Sequence, residues 1–191
     1  MVRKYFKPIR RIKSEKGFTL LLAALVASIV LSVGAAIFAI AQKQLTLSAI
    51  GRDSQFAFYA ADTAAECALY WDFRHSFFGT TPPSTVVSPD PRCDSQPMSI
   101  TLTEGDRAAG NYYKMTSARM DLFTGIVPNI EYCAEVAVTK CRGTFTSEGA
   151  CQQGAATDPT RTIIHADGYS TNCDSILTSA RALQRSVELH Y

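Results

Sequence analysis

The sequence predicts an α+β fold, a long N-terminal helix followed by an antiparallel sheet, and three observations predict it. Residues 18–41 contain neither a charge nor a proline, and residues 42–77 again lack proline. A proline-rich stretch then interrupts the chain. Beyond it, apolar residues stop recurring at spacings of three and four and begin to alternate, the change of period expected where helix gives way to strand. With 191 residues and 47% hydrophobic composition, the chain can bury one sizeable core once its apolar end is set aside. The reading divides it into a basic leader (1–17), an apolar helical half (18–41), an amphipathic helical half (42–78) and a globular remainder (79–191).

As a helix, the 24 uncharged residues of 18–41 extend roughly 36 Å, enough to cross a hydrocarbon layer of about 30 Å. Charge is unevenly placed. Arg3, Lys4, Lys7, Arg10, Arg11, Lys13 and Lys16 precede Gly17 against Glu15 alone, so 12 basic and 16 acidic residues remain beyond it. The positive-inside rule therefore keeps the leader cytoplasmic and sends the rest, mildly acidic at −4, to the far side as a single-pass inner-membrane protein. That balance does not support broad electrostatic capture of nucleic acid. Ala39-Ile40-Ala41 before Gln42 fits an ordinary secretory cleavage pattern, but the apolar run is far longer than the usual h-region of about 7–15 residues.

Lys16-Gly17-Phe18-Thr19-Leu20, preceded by the basic leader and followed by the uncharged run, resembles the processing signal of type IV prepilins. Residues 55–66, QFAFYAADTAAE, are similar to the corresponding stretch of minor pilins. The resemblance implies a type IV pilin-like fold and a prepilin peptidase that cuts after Gly17 and N-methylates Phe18. It also implies partners: an inner-membrane assembly platform, other pilin or pseudopilin subunits, and lipid before assembly. A side-chain-free Gly17 allows close approach to the backbone.

Two positions depart from the family pattern. Leu22 stands where most members carry Glu at the fifth mature position, and Ala39 where many carry Pro. In the family that Glu is thought to pair with a neighbouring subunit's N-terminal amine. Leu22 cannot, which suits a minor or tip subunit with a role in pilus initiation, adhesion, motility or DNA uptake. The alternatives are a pseudopilin of type II secretion, within a periplasmic pseudopilus instead of a surface filament, and an anchored or secreted envelope binding protein.

Past the apolar run, Phe56, Tyr59, Ala60, Thr63, Ala64, Cys67, Ala68 and Trp71 form one helical face, with Phe56, Tyr59 and Trp71 expected to pack. Arg52, Asp53, Gln55, Asp62 and Glu66 lie opposite. The helix is expected to stop near Gly79, and residues 80–97 to form a loop. Strands are expected over 99–103, 111–117, 130–140, 161–166 and 182–191. The third puts Ile130, Tyr132, Ala134, Val136 and Val138 on its buried face. In the last, Arg185 interrupts the side carrying Leu183, Val187, Leu189 and Tyr191.

Cys67, Cys93, Cys133, Cys141, Cys151 and Cys173 all follow the apolar run, and an even number beyond a membrane points to disulfides; free thiols or a zinc site are the alternatives. Cys93 is placed to tether its loop to Cys67 and Cys141 to close a hairpin with Cys151, leaving Cys133 for Cys173, among many possible connectivities.

His75, His165 and His190 are far apart in sequence, and no hydrolase, phosphate-loop or zinc-protease motif occurs. No enzymatic role, cofactor or metal is therefore expected. Asp90, Asp94, Asp167 and Asp174 are read as solvated loop acids without calcium-ligand spacing.

Overall fold

The computed structural model describes residues 16–79, 91–106, 109–124 and 131–191. Most of the leader, the segment 80–90 with Asp90, and Ile130 lie outside the described residues. One helix, α1, runs Lys16–His75. Contacts divide the chain into a unit ending at Ser48 and a unit Ala49–Tyr191. In the first, every described side chain is exposed.

In the second unit, the rest of α1 packs on a sheet. Two short strands, β1 (Arg92–Cys93) and β2 (Gln96–Pro97), pair with each other. The main sheet has the order β3 (Ile100–Gly105), β4 (Tyr112–Ser117), β6 (Tyr132–Phe145), β8 (Thr160–Tyr169), β9 (Gln184–His190). β5 (Met120–Leu122) and β7 (Cys151–Gln153) also pair with β6, and all pairings are antiparallel. Long β6 thus pairs directly with four strands, β4, β5, β7 and β8.

Register puts Met115, Val138, Ile164 and Leu189 in one row across β4, β6, β8 and β9, facing α1. Met115, Val138 and Ile164 are fully buried, each contributing about 1.5–3 kcal/mol. The helix meets this row with Ala57, Ala60, Ala61, Ala64, Ala65 and Ala68, all inaccessible to solvent. Small side chains let the backbones come close. A Cβ added at Gly168 would lie 2.1 Å from the Ala57 carbonyl oxygen and 2.4 Å from the Ala61 nitrogen.

That close packing bears out most of the expected helical face and corrects it at Tyr59. Trp71 is buried and its Nε1–H donates to the Arg92 carbonyl at 3.1 Å. Phe56 is half-buried and stacks on Tyr132 at 4.9 Å. Tyr59, however, is 54% exposed, because the alanine stripe leaves no depth for its ring on the sheet side. α1 also ends at His75, before Gly79: Ser76 takes a positive φ of 49°, and the Ser76 and Phe77 amides bond to the Asp72 and Trp71 carbonyls. Phe78 then turns into the core, its carbonyl accepting from Tyr113 Oη at 2.9 Å.

Two polar residues close the helix–sheet interface. Asp72 of α1 forms an ion pair with Lys140 of β6, their side chains only 7% and 10% exposed. The same Asp72 oxygen accepts from Tyr191 Oη at 2.5 Å, and Lys140 Nζ stands 5.7 Å from the centroid of the Tyr191 ring. Arg185, the interruption on the apolar side of β9, reaches Ser54 Oγ of α1 at 2.7 Å.

Three disulfides hold the periphery: Cys67–Cys93, Cys133–Cys173 and Cys141–Cys151. They tie the β1–β2 segment to α1, the β8–β9 connection to β6, and β6 to β7.

Candidate assembly surface and its neighbours

The apolar half of α1 combines helical order with complete exposure. Phe18 is 75% exposed and Leu22 52%, and from Gly17 through Gln42 no side chain is charged. The richest window has a mean hydropathy of 2.6 and none of it is buried, so by length and composition this helix can cross a membrane. The hydroxyls within it need no external partner, since Ser28 bonds to the Leu25 carbonyl and Ser32 to the Ile29 carbonyl, each at 2.8 Å. An exposed apolar surface of this size marks a site of contact with a membrane or another protein.

Gly17 opens onto this surface, and a Cβ there would meet nothing within 4 Å. The fold therefore sets no requirement for glycine at that position. Phe18 and Leu22 lie on the following turn and a half of α1. Within the second unit, α1 turns Phe58, Tyr59, Tyr70 and Phe73 outward beside Glu66.

All six cysteines are bridged, so none offers a thiolate. Asp121 sits beside the Cys133–Cys173 pair, accepting from the Cys173 amide at 2.7 Å. Asp94 accepts from the Phe123 amide and Asp174 lies within a short 3-10 helix, Cys173–Ser175. Asp167 is on β8 and not in a loop.

The histidines are arranged as sequence separation gave no reason to expect. His75 packs against Trp71 with ring centroids 4.5 Å apart. His165 and His190 meet at one carboxylate on the sheet face turned away from α1: His165 Nδ1 is 3.2 Å from Glu188 Oε2 and His190 Nε2 is 2.5 Å from Glu188 Oε1. His165 Nε2 is 3.3 Å from Asp167 Oδ1, and Ser186 donates to that oxygen at 2.5 Å. The signal that could have revealed this cluster is register: His165 opposes Glu188, and Asp167 opposes Ser186.

The hydrogen bond from His190 holds the Glu188 carboxyl below the usual carboxylate range, outweighing its partial burial. Burial alone would raise the Asp167 carboxyl, but hydrogen bonds from Ser186 and Gln184, together with His165, bring it below that range.

The chain has the pilin-like architecture, one long N-terminal apolar helix whose later turns pack on an antiparallel sheet. Comparison with protein-family models, with curated proteins and with solved structures returned no match.

Proposed function

We propose that this chain is a minor subunit of a type IV pilus, made as a prepilin and drawn from the inner membrane into a filament. The observation that carries the reading is the helix: uncharged and exposed from Gly17 through Gln42, it continues to His75 along an alanine face matched to the sheet. Lipid covers the apolar half before assembly, and other pilin helices cover it afterwards. A prepilin peptidase removes the leader after Gly17 and methylates Phe18, leaving the hydrophobic segment on the product. The basic leader sets a cytoplasmic N-terminus, and the disulfide-bonded domain faces the oxidising side.

Leu22 favours a minor or tip place, because it supplies no carboxylate for a neighbour's amine. It fits a tip pseudopilin of type II secretion equally well. Recovery in sheared surface filaments supports the pilus reading, and confinement to the periplasmic side supports secretion. The decisive experiment is the intact mass of the mature chain from membranes: an N-methylated Phe18 end is expected. An unprocessed Met1 end, or a Gln42 end, overturns the proposal.

A further inference from the structure

On α1, the face opposite the alanine stripe carries Arg52, Tyr59, Glu66 and Phe73, each seven residues after the last. That spacing drifts by about 20° per step, so all four stay within about 60° of one another on the outside of the helix. All are exposed, the Arg52 side chain by 71% and Phe73 by 70%. Their order is cation, ring, anion, ring. The pattern therefore repeats after fourteen residues with its charge reversed.

Charge on this face is not settled within the chain. Asp62 and Glu66 are like charges one turn apart, which disfavour each other, and neither forms an ion pair among the described residues. Arg52 has the adjacent Asp53 at 3.7 Å, a long surface contact of the kind that contributes little.

We propose that this face docks a second copy of the chain, side by side and parallel, displaced along the helix by fourteen residues, about 21 Å. At that stagger Arg52 of one copy stands level with Glu66 of the other, and Tyr59 with Phe73. Tyr70, one turn past Glu66 and also exposed, offers its ring to the same guanidinium. Two parallel helices in register would instead set Arg52 against Arg52 and Glu66 against Glu66, so charge selects the stagger. Parallel packing is the arrangement open to two chains inserted in one membrane with the same orientation. Each copy contributes a different half of the stripe, so the contact is heterologous and leaves a half free on either side for further copies. The inference goes beyond the pilus reading, since neither cleavage after Gly17 nor any other subunit enters it. It favours a minor subunit present in adjacent copies over a lone tip.

The test places the photo-crosslinker p-benzoylphenylalanine at Tyr59 of the full chain in membranes and maps the covalent dimers by mass spectrometry. A link to the Phe73 peptide of the second copy is expected. Arg52→Glu and Glu66→Arg should each lower the dimer yield about fivefold, the factor carried by an exposed ion pair at the top of its range. Both changes in one chain, or the two single variants expressed together, should restore the yield to within about twofold. These side chains are exposed, so urea midpoints followed by Trp71 fluorescence should match the parent and separate loss of contact from loss of fold. An unprocessed Met1 end leaves every one of these expectations in place, so this proposal and the pilus reading fail separately. No dimer, a link joining position 59 to position 59, or charge variants that have no effect or are not rescued by the exchange overturns the proposal.

Discussion

Replacing Asp72 with alanine tests whether the buried ion pair joins helix to sheet. Among the described residues Lys140 has one anionic partner, Asp72, and that carboxylate also receives the Tyr191 hydroxyl. Asp72→Ala leaves the ammonium about nine-tenths buried beside the Tyr191 ring without its carboxylate, and removing one partner of such a pair costs about 3–5 kcal/mol. With a urea slope of about 2 kcal/mol/M, the midpoint falls by about 1.5–2.5 M.

Trp71, the single tryptophan and the residue before Asp72, is buried on the same helix, so its fluorescence in urea reports separation of α1 from the sheet. The double variant Asp72→Leu with Lys140→Met removes both charges and should regain most of the loss, as neutral replacements of buried pairs often do. Tyr191→Phe should cost about 1.5–3 kcal/mol, the range for a hydrogen bond to a charged group. A midpoint shift below about 0.5 M for Asp72→Ala, or single-variant losses that simply add in the double variant, would refute the coupling.

Gly168→Ala pushes a methyl into the Ala57 carbonyl and must move α1 off β8, so a loss at or above the usual overpacking range of about 1–3 kcal/mol is expected by urea titration. Removing disulfides singly, as paired serine variants, should cost about 2.7 kcal/mol for Cys141–Cys151, about 3.5 for Cys67–Cys93 and about 3.9 for Cys133–Cys173, following separations of 10, 26 and 40 residues; a reversed order of midpoints counts against loop closure as the source. Gly17→Val should leave circular dichroism and unfolding unchanged, since nothing surrounds that position, while precursor accumulates on immunoblots; normal processing would remove Gly17 from the cleavage argument. Leu22→Glu places a carboxylate in lipid at about 2.5–3.5 kcal/mol and should change the amount or position of the subunit in sheared filaments; an unchanged distribution defeats the tip argument.

The legible parts of the fold were those written in periodicity. Ala134, Val136 and Val138 alternate because one face of β6 is buried, and the strand was found despite the absence of Ile130 from the described residues. Bridges were legible where a loop had to return to a neighbour, as at Cys67–Cys93 and Cys141–Cys151. The helical face was misplaced at Tyr59 alone, because hydrophobicity scales weigh its ring above Ala57 or Ala61, while Ala60, Ala64, Ala68 and Trp71 are buried as expected. The sheet selects the reverse, since close approach at Gly168 excludes a ring. The Asp72–Lys140 pair spans 68 residues and the His165–Glu188 pair spans 23. Such pairs exist only once register is fixed, and neither residue carries a local sign of the other.

The two units of this chain are under different demands, and Leu22 belongs wholly to one of them. In the unit from Ala49, core, disulfides and the Asp72–Lys140 pair are supplied by the chain itself. In the unit ending at Ser48, Ser28 and Ser32 bond along the helix, but the described apolar side chains are exposed. Every charge omitted from Gly17 through Gln42 lowers the cost of residence in lipid and also removes a means of specifying which neighbour replaces that lipid. On the proposed filament role, a helix with no carboxylate at position 22 would choose partners by shape, or leave the choice to the domain that follows. The outward Phe58, Tyr59, Tyr70 and Phe73 are then the side chains on which selection of a neighbour would act, and changing them should alter incorporation without altering membrane insertion.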